Sequence, residues 1–150
     1  MYLSYDIRGI QRFIFAVPNL KCIIGASSQI ADFDVAAKDH FGDLVVFAGG
    51  GNGILEVADE KVFEQARAHL IDKAHEIGAD LRIGKGRSFS EAKVNDSLFP
   101  FVPNSLEGLP CAMSGLLPVG PNEGWKKIDE RVHSIIGARR RAAKLSLIHI

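Results

Sequence analysis

Apolar and polar residues change period several times along this chain, and each change marks an element. Tyr2 to Ile7 alternates over a short run, as a half-buried strand does, and Arg8-Gly9 ends it. Ile10, Phe13, Ile14 and Val17 then recur three and four apart, one face of a helix that Pro18-Asn19 stops. A second helix is predicted from Leu20 to about His40, with Ile23, Ile24, Ile30, Ala31 and Phe33 as buried candidates and Phe41-Gly42 closing it. Asp32 and Asp34 flank Phe33 and are expected to face solvent. Leu44 to Phe47 and Ile54 to Val57 read as strands joined by a glycine turn. From Glu60 to Ile77 the residues Val62, Phe63, Ala66, Leu70, Ala74 and Ile77 repeat at helical spacing, with Asp59 as N-cap and Gly78 just past the end. Ala79 to Ile83 is a fourth strand.

Strand, two helices, hairpin, helix, strand is a ferredoxin-like βαββαβ pattern with its first helix split, which places the chain in the α+β class. In that topology the first strand lies beside the central hairpin, so Asp6 and the turn at Gly49 to Asn52 are expected close together. The pattern covers residues 1–84. Residues 85–124 hold five of the six prolines and few periodic runs, and read as an irregular connector. A last helix is predicted from Lys126 to about Lys144, within a segment 125–150. The closing "LSLIHI" reads either as the first strand of a domain that has been cut away or as foreign sequence.

Bulk composition narrows the class. Apolar residues make up 47% of 150, enough for a core, and no run of 18 or more is present to span a bilayer. The opening MYLSYDIRG is not the pattern of a signal peptide. Cys22 and Cys111 have no paired spacing, which argues for a reducing compartment, the cytoplasm. Eighteen basic and eighteen acidic residues balance, so the chain as a whole has no electrostatic grip on nucleic acid. A basic cluster from Arg131 to Lys144 reads as a solvated helix face, with an RNA contact as the alternative.

Candidate chemistry centres on "DLVVFAGGGNGILEV", Asp43 to Val57. Palm-type nucleotidyl transfer uses two divalent metals held by a first-strand carboxylate and one or two at the hairpin tip. Asp6 fits the first position, but the tip offers Gly51 and Asn52. Glycine has no ligating side chain, and a neutral carboxamide offsets a 2+ charge poorly. A two-metal centre is therefore not expected. Gly49, Gly50 and Gly51 would let the main chain approach a triphosphate with N–H groups turned towards it. A plain hairpin accounts for the same glycines.

Read in order, "DIRGIQRFIF" (Asp6 to Phe15), "LKCIIGASS" (Leu20 to Ser28) and "FAGGGNGILEV" (Phe47 to Val57) resemble the large polymerase-like subunit of type III CRISPR effector complexes. The resemblance covers about residues 2–84. It departs from the family pattern at Arg8, where serine is usual, and at Ala26, where a second glycine is usual. That family has two palms, the second usually bearing the carboxylates that turn ATP into cyclic oligoadenylates. The degenerate tip here resembles the first. The resemblance implies ATP as ligand, held by Gly49, Gly50, Gly51 and Asn52, with Asp6, Ile7, Arg8, Gly9, Gln11 and Ser27 lining or supporting the pocket. It also implies no catalysis by this palm alone, with magnesium only where a partner palm supplies ligands. The implied partners are the second palm, in cis or in trans, and the other subunits with their guide RNA; a membrane is not among them.

"LPCAMSGLLPVG", Leu109 to Gly120, resembles half of the family's zinc ribbon, but Ser114 stands at the second cysteine position and no zinc is expected. His69 and His75 are six apart, not at ligand spacing, and read as surface histidines. His40 beside Asp39 does not make the family's nuclease domain. Three readings stay open: a nucleotide-binding module, a stand-alone minimal palm nucleotidyltransferase or cyclase acting as a homodimer, and a structural scaffold.

Overall fold

β1 (Tyr2–Arg8) is the middle strand of the sheet, paired antiparallel on both sides. Leu3, Tyr5 and Ile7 are buried on one face; Tyr2, Ser4, Asp6 and Arg8 point to the other. The computed structural model describes residues 1–17, 19–102 and 130–148. They group into two compact units, Met1–Ile10 with Ile30–Phe101, and Gln11–Gln29 with Val102–Ile150.

The first unit is an α+β fold built on a five-stranded antiparallel sheet of order β2-β3-β1-β4-β5. The strands after β1 are β2 (Val45–Gly49), β3 (Asn52–Glu56), β4 (Asp80–Gly86) and β5 (Asp96–Phe99). β2 and β3 form the predicted hairpin, and β3 lies against β1 in the register Asp6 opposite Asn52. The part of α2 (Leu20–Phe41) from Ile30 onward and α3 (Glu60–Glu76) cover the Tyr5 face. Phe63, Ala66, Leu70 and Ala74 are the buried stripe of α3. Its N-cap is Asp59, whose carboxylate accepts the Val62 N–H, and Gly78 follows its end at φ 73°. His69 and His75 are half-buried on α3 rather than free on the surface: the His69 ring stacks on His40 of α2 at 3.6 Å with Phe41 edge-on to both, and His75 Nε2 lies 3.2 Å from the Phe99 carbonyl.

Two elements occupy the segment expected to be irregular. α4 (Phe89–Val94) starts at Ser88, whose hydroxyl accepts the Glu91 N–H, while Glu91 reaches back to the Arg87 N–H. Ser-Phe-Ser-Glu is the capping-box spacing, a start signal that outweighs the prolines further on. α4 lies on the sheet face opposite α2 and α3: Tyr2 meets Phe89 edge-on and Ser4 Oγ donates to the Ala92 carbonyl at 2.8 Å. Gly84 makes the seat, because a Cβ there would collide with that carbonyl. β5 then pairs with β4 from Leu81 opposite Phe99 to Gly84 opposite Asp96.

The second unit includes α5 (Glu130–Ile148), the start of α2 and most of α1 (Ile10–Ile14). α1 is shorter than its apolar stripe predicts, ending at Ile14 rather than running on to Val17. α2 and α5 touch backbone to backbone at Gly25, where a side chain would meet the Ile135 carbonyl. Arg131 of the basic cluster lays its guanidinium over the Phe13 ring at 4.7 Å, whereas Arg140 and Arg141 are exposed. Cys22 is a buried free thiol. Cys111 and Ser114, on which the zinc expectation rests, lie outside the described residues, as does the start of the predicted last helix.

Candidate functional site

The hairpin turns through Gly50 and Gly51 at φ 65° and 82°, the two left-handed positions that a two-residue turn requires. Gly51 is fastened on both sides. Its carbonyl accepts the Ile7 N–H at 2.8 Å, and its own N–H donates to Asp34 Oδ2 at 2.8 Å. A side chain at this position would press on Ile10 and Ile30. Gly50 is exposed, with only the Asn52 carboxamide nitrogen near, and Gly49 lies against the Phe47 ring.

Asp34 does not face solvent; it is 4% exposed. Its carboxylate accepts the Tyr5 hydroxyl at 2.8 Å as well as the Gly51 N–H, and these two bonds offset the loss of water around the charge. The expectation fails because helical spacing assigns a face but not what lies over it. Here the face holding Phe33 and Asp34 closes over Tyr5, which stacks edge-on against Phe33. Burial, then the hydrogen bond and charge of Asp34, raise the Tyr5 phenol far above its usual pKa. The N–H of Gly51 is thus committed to the protein and is not presented to a ligand.

On the opposite face a cavity of about 260 Å³ opens over the middle of the sheet. Its lining is Ser4, Tyr5, Asp6, Asn52, Gly53, Arg82, Lys93 and Asp96. Register explains the gathering: Asp6 is the direct partner of Asn52 on β3 and of Arg82 on β4, so three polar side chains form one row. Asp96 arrives on β5 and holds Arg82 Nη1 at 3.2 Å, while Arg82 Nε is buried without a hydrogen-bond partner. Lys93 comes from α4 and makes no ion pair among the described residues. Asp6 is exposed, yet partial burial of its carboxyl raises its pKa. Arg8 pulls the value back, Asp96 adds to the rise, and Arg82 and Lys93 oppose it.

Of the remaining residues singled out by sequence, Ile7 is buried on the Tyr5 face, Arg8 is exposed two places beyond Asp6, and Gly9 turns the chain at φ 66°. Gln11 and Ser27 are exposed on α1 and α2 in the other unit. The sequence pattern does not single out Arg82, Lys93 or Asp96, and it assigns Asp34 to solvent. The first three are recoverable only once strand register and the capping box after Arg87 are used together.

Two carboxylates, two cations and a carboxamide around one opening can bind a ligand that carries both charge and hydrogen-bonding groups. The volume is just under the roughly 300–1,000 Å³ of pockets that enclose a whole small molecule, so it suits part of one. Among the described residues, no group of three or more His, Cys, Asp or Glu side chains is gathered to hold a metal ion. No described helix is long and apolar enough to cross a membrane. Comparison of the sequence with models of known protein families finds no match, and none of the curated proteins matches it.

Proposed function

We propose that this chain is the first, degenerate palm of the large polymerase-like subunit of a type III CRISPR effector complex. On this reading it is a ferredoxin-like βαββαβ domain of the cytoplasm that holds ATP as half of a pocket and does no chemistry alone. One observation carries the reading: the first-strand carboxylate Asp6 and the tip residue Asn52 are direct cross-strand partners on the sheet face that α2 and α3 leave uncovered. The order β2-β3-β1-β4 supports it, with the hairpin beside the first strand.

A palm that transfers nucleotides needs carboxylates at both of these positions to hold two divalent ions. Asn52 brings a neutral oxygen, so Asp6 faces the nucleotide without a second anion beside it at the tip. Magnesium then enters with the nucleotide only when a second palm, in cis or in trans, supplies further ligands. The assembled pocket would make cyclic oligoadenylates in antiviral defence, alongside subunits that carry the guide RNA. Zinc has no part in it, and no membrane partner is involved.

Titration of ATP, with and without magnesium, into the full chain tests this. Weak saturable binding without turnover is expected, and replacement of exposed Gly50 by phenylalanine should weaken it. Absence of binding even with the second palm supplied would leave a scaffold role. Asp96, a second carboxylate in the same cavity, favours a different reading, a stand-alone nucleotidyltransferase. Metal-dependent product from purified chain, lost on Asp6→Ala, would establish it instead.

A further inference from the structure

The glycine tip is the natural place to expect a phosphate, but its hydrogen bonds are largely turned inward. Gly51 gives its N–H to Asp34 and its carbonyl to Ile7. A triphosphate needs donors or positive charge, and the cavity beside the tip has two cations. They are not equivalent. Arg82 is already neutralised by Asp96 at 3.2 Å, and moving it would strand that carboxylate. Lys93 lines the same cavity with no ion pair among the described residues.

The position of Lys93 is fixed by its neighbour. Ala92 is fully buried, its carbonyl accepts the Ser4 hydroxyl, and its backbone rests on Gly84 with no room for a Cβ between them. The Lys93 backbone is thereby held above the row of Asn52, Asp6 and Arg82, while its four-carbon side chain stays free to follow a ligand. An ammonium on a flexible stem suits a phosphate group, whose negative charge it can meet from many directions.

Resting on the nucleotide reading above, we propose that Lys93 is the residue that holds the ligand's phosphates, and that recognition at this site is led by polyphosphate rather than by the base. Lys93 lies outside every motif on which the resemblance rests. It belongs to α4, within residues 85–124, where the lack of periodicity predicts an irregular connector.

The test is a set of ¹H–¹⁵N NMR titrations on the full chain with ATP, inorganic triphosphate and adenosine. The variants are Lys93→Ala and Lys93→Arg, with Lys61→Ala as a control for net charge, since Lys61 is exposed on α3. Lys93 is exposed, so these variants should keep the wild-type spectrum away from the cavity. Lys93→Ala is expected to weaken ATP and triphosphate by about tenfold, the effect of one charged contact. Lys93→Arg should retain most of the affinity, and the control all of it. Adenosine should be weak in every variant and insensitive to Lys93. If ATP and triphosphate titrate alike in wild type and Lys93→Ala, or if adenosine loses as much as ATP, the assignment of Lys93 falls while the nucleotide reading stands. If wild type binds neither ATP nor triphosphate, Lys93 falls at once. The broader reading then falls only if adding the second palm also fails to restore binding.

Discussion

Replacing Asp34 by alanine should be among the most damaging single changes in the first unit. The carboxylate accepts the Tyr5 hydroxyl and the Gly51 N–H, both at 2.8 Å, at a position 4% exposed. Hydrogen bonds to a charged acceptor contribute about 1.5–3 kcal/mol each, and a buried donor left unsatisfied costs about 1–3, so the loss of both should total about 3–5 kcal/mol. That is a large part of the roughly 5–15 kcal/mol that holds a domain folded. Asp34→Asn should cost less, about 1–2 kcal/mol, because the amide oxygen can take the Gly51 N–H while its NH₂ donates to the Tyr5 oxygen. Urea denaturation with the midpoint and slope fitted separately reads both values. A cycle with Tyr5→Phe isolates the coupling, which should exceed about 1 kcal/mol for directly bonded partners. Hydrogen exchange at the Gly51 amide gives the local readout and should speed up in Asp34→Ala. An Asp34→Ala variant within about 1 kcal/mol of wild type, or a Tyr5→Phe cost that is the same in both backgrounds, would refute this role for Asp34.

Gly84→Ala would drive a methyl into the Ala92 carbonyl; backbone cannot yield as a side chain can, so destabilisation of about 3 kcal/mol or more is expected in the same urea assay. The pKa of His69 is lowered chiefly by burial and then by the facing His40 and by Lys73, against the smaller pull of Asp72 and Glu76. In the unfolded chain this histidine protonates first, so stability should fall as pH drops below about 6.5 and level off once the folded-state value is passed. His69→Gln should flatten that dependence, and equal urea midpoints for wild type at pH 7.5 and 5.5 would count against it. Asp6→Asn removes a negative charge across the cavity from Lys93, so metal-free ATP should bind several-fold tighter. The advantage should shrink as pH falls through the raised Asp6 pKa, where the wild-type carboxyl is neutral too.

Elements with their own local signals are legible in the sequence. α3 carries its N-cap at Asp59, its stripe and its closing glycine within a single window, and β1 shows its alternation because both faces are in use. The two glycines of the turn announce a hairpin by themselves. What escapes is whatever depends on pairing at a distance. Asp34 meets a strand residue 29 positions away and a turn residue 17 away, and no periodicity distinguishes it from Asp32, which is exposed on the same helix. α4 and β5 are only six and four residues long, too short for a pattern to declare itself among prolines. The cavity is a product of register: Asn52, Asp6 and Arg82 share a row only because β3 and β4 flank β1 as they do. A one-residue slip of either strand would turn its member of that row to the other face.

β2 is the outer strand beside the tip, with Val46 and Phe47 exposed, and such an edge invites another chain to add itself. The irregular pairing between Val45 and Phe47 interrupts the even spacing of backbone groups that an added strand would have to match. An incoming segment zipping along β2 from Val45 would lose register before Gly49. The turn is thereby kept clear of adventitious sheet extension, and its approach stays open to a ligand or to a partner that recognises side chains rather than bare peptide groups.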